Sequence, residues 1–476
     1  MLREPKLSRW CWILGLAAAW CSLAAPRQAT GVKVGEVTHE SAIVWMRLTR
    51  DSERNWKGLD LRGKGGQKTV PEGISPDELE GAAPGAAGRV RLRYGTQRDL
   101  SDARQTPWVT VSAVTDYAHQ FVLRGLRPDT VYYFAAETAD LGDGSRHEPL
   151  FGEFRTAPLP TATDPILFTA ITCLMYADLD DRDGFKIFDA MLELRPRFTV
   201  FTGDDVYYDN EDPRVTSVAV AKYHWQRMYS LPRHVRFCLR VPTYWMKDDH
   251  DTYADDCWPG MKLDKMGSFT FEDGQRIFLE QVPMGERTWR RFRWGKHLEI
   301  WLVEGRDFRS PNPVPDGPDK TIWGRAQKDW LKKTLLSSDA TWRILISPTP
   351  LVGPDRKNKA DNHSNAAFAH EGREMRQWLA DHLKGNVFVI CGDRHWQYHS
   401  VDPETGLHEF CTGAVSDEHA GGSPGEDPRY HRFHRVKGGF LSVLASGEEI
   451  RFRHHDVNGR VVYEYRQAAP RRTLRP

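Results

Sequence analysis

The sequence predicts two domains, an N-terminal all-β sandwich at residues 31–157 and a larger α/β domain at residues 165–465. Its 476 residues exceed what one ordinary hydrophobic core holds. In the first region, short runs alternate apolar and polar residues, which is typical of half-buried strands. After Pro165, strand patterns alternate with helical ones, which indicates βαβ units and sheets covered by helices.

The strand signals of the first region are short and regularly spaced, at residues 41–48, 90–94, 108–111 and 130–134. Residues 121–134 place a leucine turn and a tyrosine strand where fibronectin-type sandwiches have them. We therefore expect a fibronectin-like sandwich. Residues 51–88, rich in Gly, Ala, Glu and Lys, are expected to form a long inserted loop.

The first 25 residues have the pattern of a secretory signal peptide. Arg3, Lys6 and Arg9 precede an apolar run at residues 10–20, and small residues follow it. We expect export, with no transmembrane segment left after signal cleavage. The chain has 66 Lys and Arg against 65 Asp and Glu, so it lacks the basic excess expected of a protein that binds nucleic acid or an anionic membrane.

Five cysteines follow the predicted signal peptide: Cys173, Cys238, Cys257, Cys391 and Cys411. Because this number is odd, one thiol is expected to be free or bound to a metal. In an oxidising compartment the other four could form two disulfides, and the sequence does not fix their pairing.

Polar residues follow four of the predicted strands in the larger domain. Those strands, at residues 166–172, 198–202, 241–246 and 387–390, are followed by Cys173, Gly203–Tyr207, Asp248–Asp251 and Gly392–His395. If the strands lie in one sheet, these clusters converge at its carboxyl edge. A single Gly-Asp pair is usually a turn, but three carboxylates within four residues repel one another unless a cation or water is present. The pattern therefore favours a metal site over a set of surface turns.

The residue types indicate a site of mixed metals. A thiolate from Cys173 beside a phenolate from Tyr207 suits trivalent iron, while carboxylates alone suit calcium, manganese or magnesium. The alternative for Cys173 is an ordinary buried thiol. The sequence has no pair of Cys-x2-Cys motifs, no Gly-x-Ser-x-Gly elbow and no Walker loop, which argues against a zinc finger, a serine hydrolase and a P-loop enzyme.

Several motifs along the chain form one recognisable set: Gly35–Arg47, Ala170–Cys173, Thr202–Tyr207, Lys247–Asp251, Gly305–Arg309, Gly324–Leu331 and Gly392–His395. With them the chain resembles the PhoD-like alkaline phosphatase family, within the calcineurin-like metallophosphoesterases. The likeness extends over nearly the whole chain after residue 25. It implies that the larger domain is a metallophosphoesterase domain, a sandwich of β-sheets flanked by helices.

The resemblance also implies a set of metal ligands. Cys173, Asp204, Tyr207 and His395 would hold Fe³⁺, with Asp204 bridging to Ca²⁺. The calcium side would be completed by three further carboxylates, from Asp249, Asp255 and Asp393. Manganese, magnesium and zinc are the alternative metals.

Four other residues are assigned to the substrate. By resemblance, His250 would lie near the leaving group, and Arg306 and Arg309 would clamp phosphate oxygens as guanidinium groups do. Tyr223 is a candidate substrate contact. The loop at residues 411–422 either borders the site or lies on the surface, so His419 is not included among the predicted site residues.

These observations predict an exported phosphoesterase that hydrolyses small-molecule or polymer-borne phosphate esters by attack of a metal-bound hydroxide. One alternative is a catalytically degenerate metal-binding surface protein that uses the sandwich for attachment. Another is a metal-dependent nuclease, which would require an electropositive groove, and the near-neutral charge speaks against specific nucleic-acid binding.

Overall fold

The computed structural model describes residues 26–470, so the predicted signal peptide lies outside the described part of the chain. The N-terminal strands are β1 Val32–Gly35, β2 Ser41–Arg47, β3 Gly63–Lys64, β4 Gly88–Gly95, β5 Arg104–Gln105, β6 Val109–Val111, β7 Ala118–Arg124, β8 Val131–Ala139 and β9 Leu150–Arg155. The later strands are β10 Ile166–Ile171, β11 Thr199–Phe201, β12 Glu211–Asp212, β13 Thr243–Trp245, β14 Arg290–Trp294, β15 Leu298–Leu302, β16 Trp342–Ser347, β17 Val387–Cys391, β18 Gln397–Val401, β19 His408–Cys411, β20 His431–Arg435, β21 Gly439–Ala445, β22 Glu449–Asp456 and β23 Val461–Ala468. The α-helices are α1 Ile187–Leu194, α2 Val218–Tyr229, α3 Pro232–Cys238, α4 Phe271–Gln281, α5 Gly324–Ser337 and α6 Ala369–Leu383.

Two large sheets pack face to face and enclose the main core. Within residues 26–470, one sheet has the order β23-β22-β21-β10-β11-β13-β1-β2-β7 and the other β14-β15-β16-β17-β19-β18-β20. Phe198, directly before β11, stacks 4.8 Å from Phe168 of the first sheet and lies 4.7 Å from Trp294 of the second. The strands β15, β16 and β17 are buried along their whole length, which explains their almost continuous apolar sequences.

Helices cover the outer face of each sheet. Phe188 of α1 and Tyr229 of α2 contact Phe201 and Trp245 on the nine-stranded sheet, while α5 and α6 cover the seven-stranded sheet with buried leucine and methionine side chains. The result is a four-layer arrangement of helix, sheet, sheet and helix. The expected sandwich of sheets flanked by helices is confirmed.

The N-terminal sandwich is joined to this arrangement through one of its own sheets. The strands β1, β2 and β7 form one face of the sandwich, and the five-stranded sheet that contains β4, β8 and β9 forms the other. Phe134 and Leu92 of this smaller sheet belong to the same buried cluster as Val34 and Val44. Strand β1 also pairs in parallel with β13, through Gly35 and Thr243. The nine-stranded sheet therefore runs from the N-terminal region into the larger domain.

The insertion at residues 51–88 lies against the larger domain. Its strand β3 pairs with β12, with Lys64 opposite Glu211. Gly66, at φ +59°, approaches the carbonyl oxygen of Asp209 so closely that a β-carbon would lie 2.1 Å from it. A side chain at position 66 would force the two segments apart, so this contact requires glycine.

Two of the sequence-based expectations differ from the structure. The polar clusters do not follow strands of one sheet: β10, β11 and β13 belong to the nine-stranded sheet, but β17 belongs to the seven-stranded sheet. Both sheets end at the same edge, so the clusters still meet. The five cysteines within residues 26–470 are all free and buried, so the two possible disulfides are absent from this part of the chain.

Across residues 26–470, no helix combines the length and apolar character required to span a membrane.

Candidate metal centre

Three residues at the strand ends adopt a backbone conformation that side chains disfavour. Cys173, Asp204 and Asp393 have φ values of 59°, 57° and 63°, in the left-handed region. Such residues cost roughly 1–3 kcal/mol each and tend to occur at functional sites. Cys173 and Asp393 each belong to a group of possible metal donors, and Asp204 belongs to both groups.

The first group of donor atoms surrounds one oxygen of Asp204. The Cys173 Sγ atom lies 3.4 Å and the Tyr207 Oη atom 3.2 Å from Asp204 Oδ2. The His395 Nε2 atom lies 3.4 Å from Tyr207 Oη. Ligand atoms of Cys173, Asp204 and His395 all lie within 4.8 Å of one another. The structure thus brings together the four residues assigned to iron.

A second group of donors consists of carboxylates and again includes Asp204. Asp204, Asp248 and Asp393 form one set of ligand atoms within 4.8 Å of one another, and Asp249 joins Asp204 and His250 in another. Asp255, the remaining predicted ligand, is 62% exposed in its side chain and lies at the rim with Asp249 and Asp256. Asp204 therefore belongs to two groups of donors: one that contains sulfur, nitrogen and phenol oxygen, and one that consists of carboxylates.

The electrostatics of this cluster fit a site made for cations. Burial raises the pKa of Asp204 well above its ordinary value, and the Asp249 carboxylate raises it further. Burial likewise raises the pKa of Asp393, despite the opposing Arg394 guanidinium. In addition, Asp204 Oδ1 and Asp248 Oδ2 are buried with no hydrogen-bond partner among the described residues. Buried carboxylates without partners are costly, and bound cations would remove that cost.

Asp251, the last residue of the Asp-Asp-His-Asp segment, has a different role. Its carboxylate accepts hydrogen bonds from the backbone N–H groups of Asp205 at 3.0 Å and Asp248 at 2.7 Å. It thus fixes the two loops to each other and does not face the cluster.

His250 is oriented by a carboxylate that the sequence analysis did not single out. Its Nδ1 atom lies 2.6 Å from Asp209 Oδ1, and its ring lies 4.5 Å from that of Tyr207. Burial lowers the pKa of His250, but the Asp249 and Asp209 carboxylates outweigh this effect and hold that pKa well above its ordinary value. The Nε2 atom, 3.9 Å from Asp255 Oδ1, is the nitrogen left to face the rim.

Arg306 lies beneath the carboxylates. Its Nε atom donates to Asp248 Oδ1 at 2.5 Å, and its Nη2 atom lies 3.8 Å from Asp249 Oδ1. The side chain is 0% exposed. In this conformation Arg306 compensates carboxylate charge, and direct contact with a substrate phosphate stays a prediction.

Arg309 is occupied by the backbone. Its guanidinium donates to the carbonyl oxygens of Asp256, Cys257 and Ala360, and to the side chain of Asn312. It ties two loops of the site together, and the structure does not bring it into the donor cluster as a phosphate clamp.

Tyr223 also lies outside the cluster. It is 2% exposed, packs against Leu79 and Ala82 of the insertion, and donates its hydroxyl hydrogen to the Glu80 carbonyl oxygen at 2.7 Å. The structure therefore gives Tyr223 the role of anchoring the insertion, not of contacting substrate.

We expect Tyr223→Phe to leave KM for p-nitrophenyl phosphate almost unchanged and to lower the free energy of unfolding by about 0.5–1.5 kcal/mol, the net value of one hydrogen bond. Steady-state kinetics and urea unfolding measure the two quantities. Tyr465→Phe likewise removes one hydroxyl hydrogen bond, to Gln467 in the C-terminal hairpin; it is the matched control and should lower the free energy of unfolding by a similar amount without changing KM. A large rise in KM with unchanged stability would instead restore the substrate-contact hypothesis.

Several residues at the site were missed by sequence reasoning. Asp256 joins Asp249 and Asp255, and the Lys359 ammonium group lies 2.7 Å from Asp256 Oδ1 and 3.0 Å from Asp255 Oδ1. His419 lies 3.0 Å from Tyr207 Oη through its Nε2 atom. Lys359 and His419 lie in loops, where no strand or helix periodicity predicts which way a side chain points. The glycine-rich sequence near His419 was the one feature that suggested a loop beside the site.

Family models match most of the chain. A model described as PhoD-like phosphatase matches residues 168–472, and one described as PhoD-like phosphatase, N-terminal domain, matches residues 15–158. The chain belongs to the PhoD-like phosphatase family. As a member of this family it is a phosphoric ester hydrolase, and the family is consistent with the metallophosphoesterase fold.

Individual proteins support the same family and fold. Alkaline phosphatase D of Bacillus subtilis (strain 168) is 22% identical over 452 residues, covering 84% of this chain and 70% of that protein. A solved structure of PhoD matches with a TM-score of 0.71 at 14% identity, covering 94% of this chain and 89% of the other. A purple acid phosphatase from yellow lupin (Lupinus luteus) seeds matches with a TM-score of 0.63 at 12% identity, covering 92% and 74%. At these identities, the solved structures support the fold alone.

Proposed function

We propose that this PhoD-like phosphatase is an exported phosphoesterase with a centre of two metal types, Fe³⁺ and Ca²⁺. The observation that carries the proposal is the sharing of Asp204 between two unlike sets of donors. One set offers sulfur, nitrogen and phenol oxygen, and the other offers carboxylates only. The first suits trivalent iron and the second suits calcium, with manganese, magnesium or zinc as alternatives.

When bound, the cations supply hydroxide at neutral pH from acidified water and neutralise charge on the phosphoryl group. The chain contributes the geometry around them. Asp209 holds the His250 ring through Nδ1, which leaves Nε2 to donate a hydrogen bond or a proton to the leaving oxygen. In the metal-free chain burial lowers the pKa of His250, but the Asp249 and Asp209 carboxylates outweigh burial and hold that pKa above its ordinary value, which favours a hydrogen on Nε2.

Arg306 acts on the same site through its contacts with two of the carboxylates. Burial raises the pKa of Asp248, and the Arg306 charge opposes that rise; for Asp249 the same charge helps to outweigh burial and to hold the pKa below its ordinary value. Arg306 therefore favours the ionised, ligating form of both carboxylates. The Lys359 ammonium group at the rim lies among Asp255 and Asp256 and is a candidate contact for substrate phosphate oxygens. The proposed substrates are small-molecule or polymer-borne phosphate esters, and export rests on the signal pattern in residues 1–25.

The test combines metal analysis with two substrates. Protein purified without added metal is analysed by mass spectrometry for metal content, and the same sample is assayed with p-nitrophenyl phosphate and bis-p-nitrophenyl phosphate. We expect the parent protein to contain both iron and calcium. In Cys173→Ala we expect both the metals and the hydrolytic activity to be lost. Mutation of a residue that only hydrogen-bonds to a metal ligand typically lowers metal affinity or activity by about 10–100-fold. Loss of a direct ligand is therefore expected to lower them further.

Cys238→Ala is the matched control, because Cys238 is also a buried free thiol but lies in α3, outside the donor cluster. The ratio of the two hydrolysis rates separates a monoesterase from a diesterase. Protein that stays metal-free and inactive after iron and calcium are supplied would contradict the proposal and favour a degenerate binding protein.

A further inference from the structure

His419 makes a continuous connection between the metal centre and the N-terminal insertion. Its Nε2 atom lies 3.0 Å from Tyr207 Oη, and its Nδ1 atom lies 2.9 Å from Asp178 Oδ2. Its ring centroid is 4.1 Å from that of His395. Since His419 and Asp178 are 9% and 3% exposed, this connection is largely shielded from water.

The carboxylate of Asp178 determines which nitrogen of His419 faces the centre. An ionised carboxylate only accepts hydrogen bonds, so the Nδ1 atom of His419 carries the hydrogen that Asp178 receives. The ring is thereby fixed in orientation, and its Nε2 atom, which carries no hydrogen in this tautomer, accepts the hydroxyl hydrogen of Tyr207. If Tyr207 binds a metal as a phenolate, the hydrogen that it gives up would stay on Nε2, which would then donate it to the phenolate oxygen. Pairs of this kind, in which a carboxylate orients a histidine, are a common way of fixing groups around metal ligands.

Lys64 fixes the same arrangement from the other side. Its Nζ atom lies 2.5 Å from Asp178 Oδ1 and donates to the backbone carbonyl oxygen of Glu418 at 3.3 Å. It therefore holds both the partner of His419 and the residue before it. Lys64 belongs to β3 in the insertion at residues 51–88, so a segment of the N-terminal region reaches the surroundings of the metal centre.

We propose that His419, supported by Asp178 and Lys64, is a positioning residue that holds the phenolic oxygen of Tyr207 in place as a metal ligand. This inference rests on the proposed function. The Tyr207 ring centroid lies 4.5 Å from that of His250 and 5.3 Å from that of His419. Packing limits the tilt of the ring, and the contact with His419 Nε2 fixes the direction of its oxygen.

The test compares two substitutions of His419 in the full chain as purified. His419→Phe keeps the ring shape and removes both nitrogens, whereas His419→Gln keeps an amide that can occupy the Nε2 position. Retained metal is measured by mass spectrometry after dialysis against EDTA. The visible absorption that a phenolate gives when bound to Fe³⁺ is recorded on the same samples.

We expect His419→Phe to weaken metal retention by about 10–100-fold and to shift the phenolate absorption, because it removes a partner of a ligand. His419→Gln should recover most of both signals, which a purely structural role of the ring would not predict. Lys64→Met should give a smaller effect of the same kind. His382→Phe, at an exposed histidine of α6, is the control.

Retention and absorption in His419→Phe that match those of His382→Phe would overturn the inference. The variant Tyr207→Phe separates this failure from that of the proposed function. If Tyr207→Phe loses metal while His419→Phe does not, only the role of His419 is wrong. If Tyr207→Phe also keeps its metal and absorption, or if the parent protein binds no metal, the proposed metal centre itself is wrong.

Discussion

Asp204→Asn is expected to abolish hydrolysis, lowering kcat/KM by about 10³-fold or more, which corresponds to about 4 kcal/mol of transition-state stabilisation. The reason is that Asp204 belongs to both the sulfur-containing and the carboxylate set of donors. An amide in its place carries no charge and cannot bridge two cations. Activity and metal content measured on one preparation check this expectation.

The same substitution should not unfold the protein. In metal-free protein it removes one of several buried carboxylates that repel one another, so the free energy of unfolding should stay the same or rise. Asp339→Asn, at a side chain that is 91% exposed, is the matched control and should change neither activity nor stability. An Asp204→Asn protein that keeps both metals and full activity would show that the centre is wrongly assigned.

Arg306→Met is expected to destabilise the metal-free protein by about 3–5 kcal/mol, because removal of one partner leaves a buried carboxylate uncompensated. Arg306 is 0% exposed and contacts Asp248 directly, so water cannot replace the lost charge. Methionine has a similar length and keeps most of the packing. Urea unfolding with EDTA present measures the effect.

Addition of iron and calcium should restore part of that stability, since cations would compensate the same carboxylates. Arg325→Met, at a side chain that is 94% exposed on α5, should change stability by no more than about 0.5 kcal/mol. If Arg306→Met is as stable as Arg325→Met without metal, the buried pairing described for Arg306 is wrong.

The sequence predicted those parts of the fold and site that depend on local hydrophobic pattern and on where strands end. The strands β10, β11, β13 and β17 were predictable from apolar runs, and the residues after them form the cluster because strand ends meet at one edge. Motif resemblance then assigned Asp204 and His395 to a metal centre. These predictions depended on short stretches of chain, in which neighbouring residues carry the information.

Contacts between distant segments could not be predicted in the same way. Whether Tyr223 faces the site or the core depends on the rotation of α2, and most side chains of that helix are buried, so its pattern gives no direction. The pairing of His419 with Asp178 joins residues 241 positions apart. Similarly, the contact of Arg306 with Asp248 joins residues 58 positions apart, and the sequence pattern does not show it.

The parallel pairing of β1 with β13 has a consequence for how the protein loses its structure. Because the sandwich and the larger domain share one sheet and one buried cluster, neither can separate without exposing strand edges and apolar surface of the other. We therefore expect the N-terminal strands and the larger domain to unfold together rather than one after the other. A destabilising substitution in the N-terminal strands is then expected to lower the folded population of the candidate site as well, although it lies far from that site.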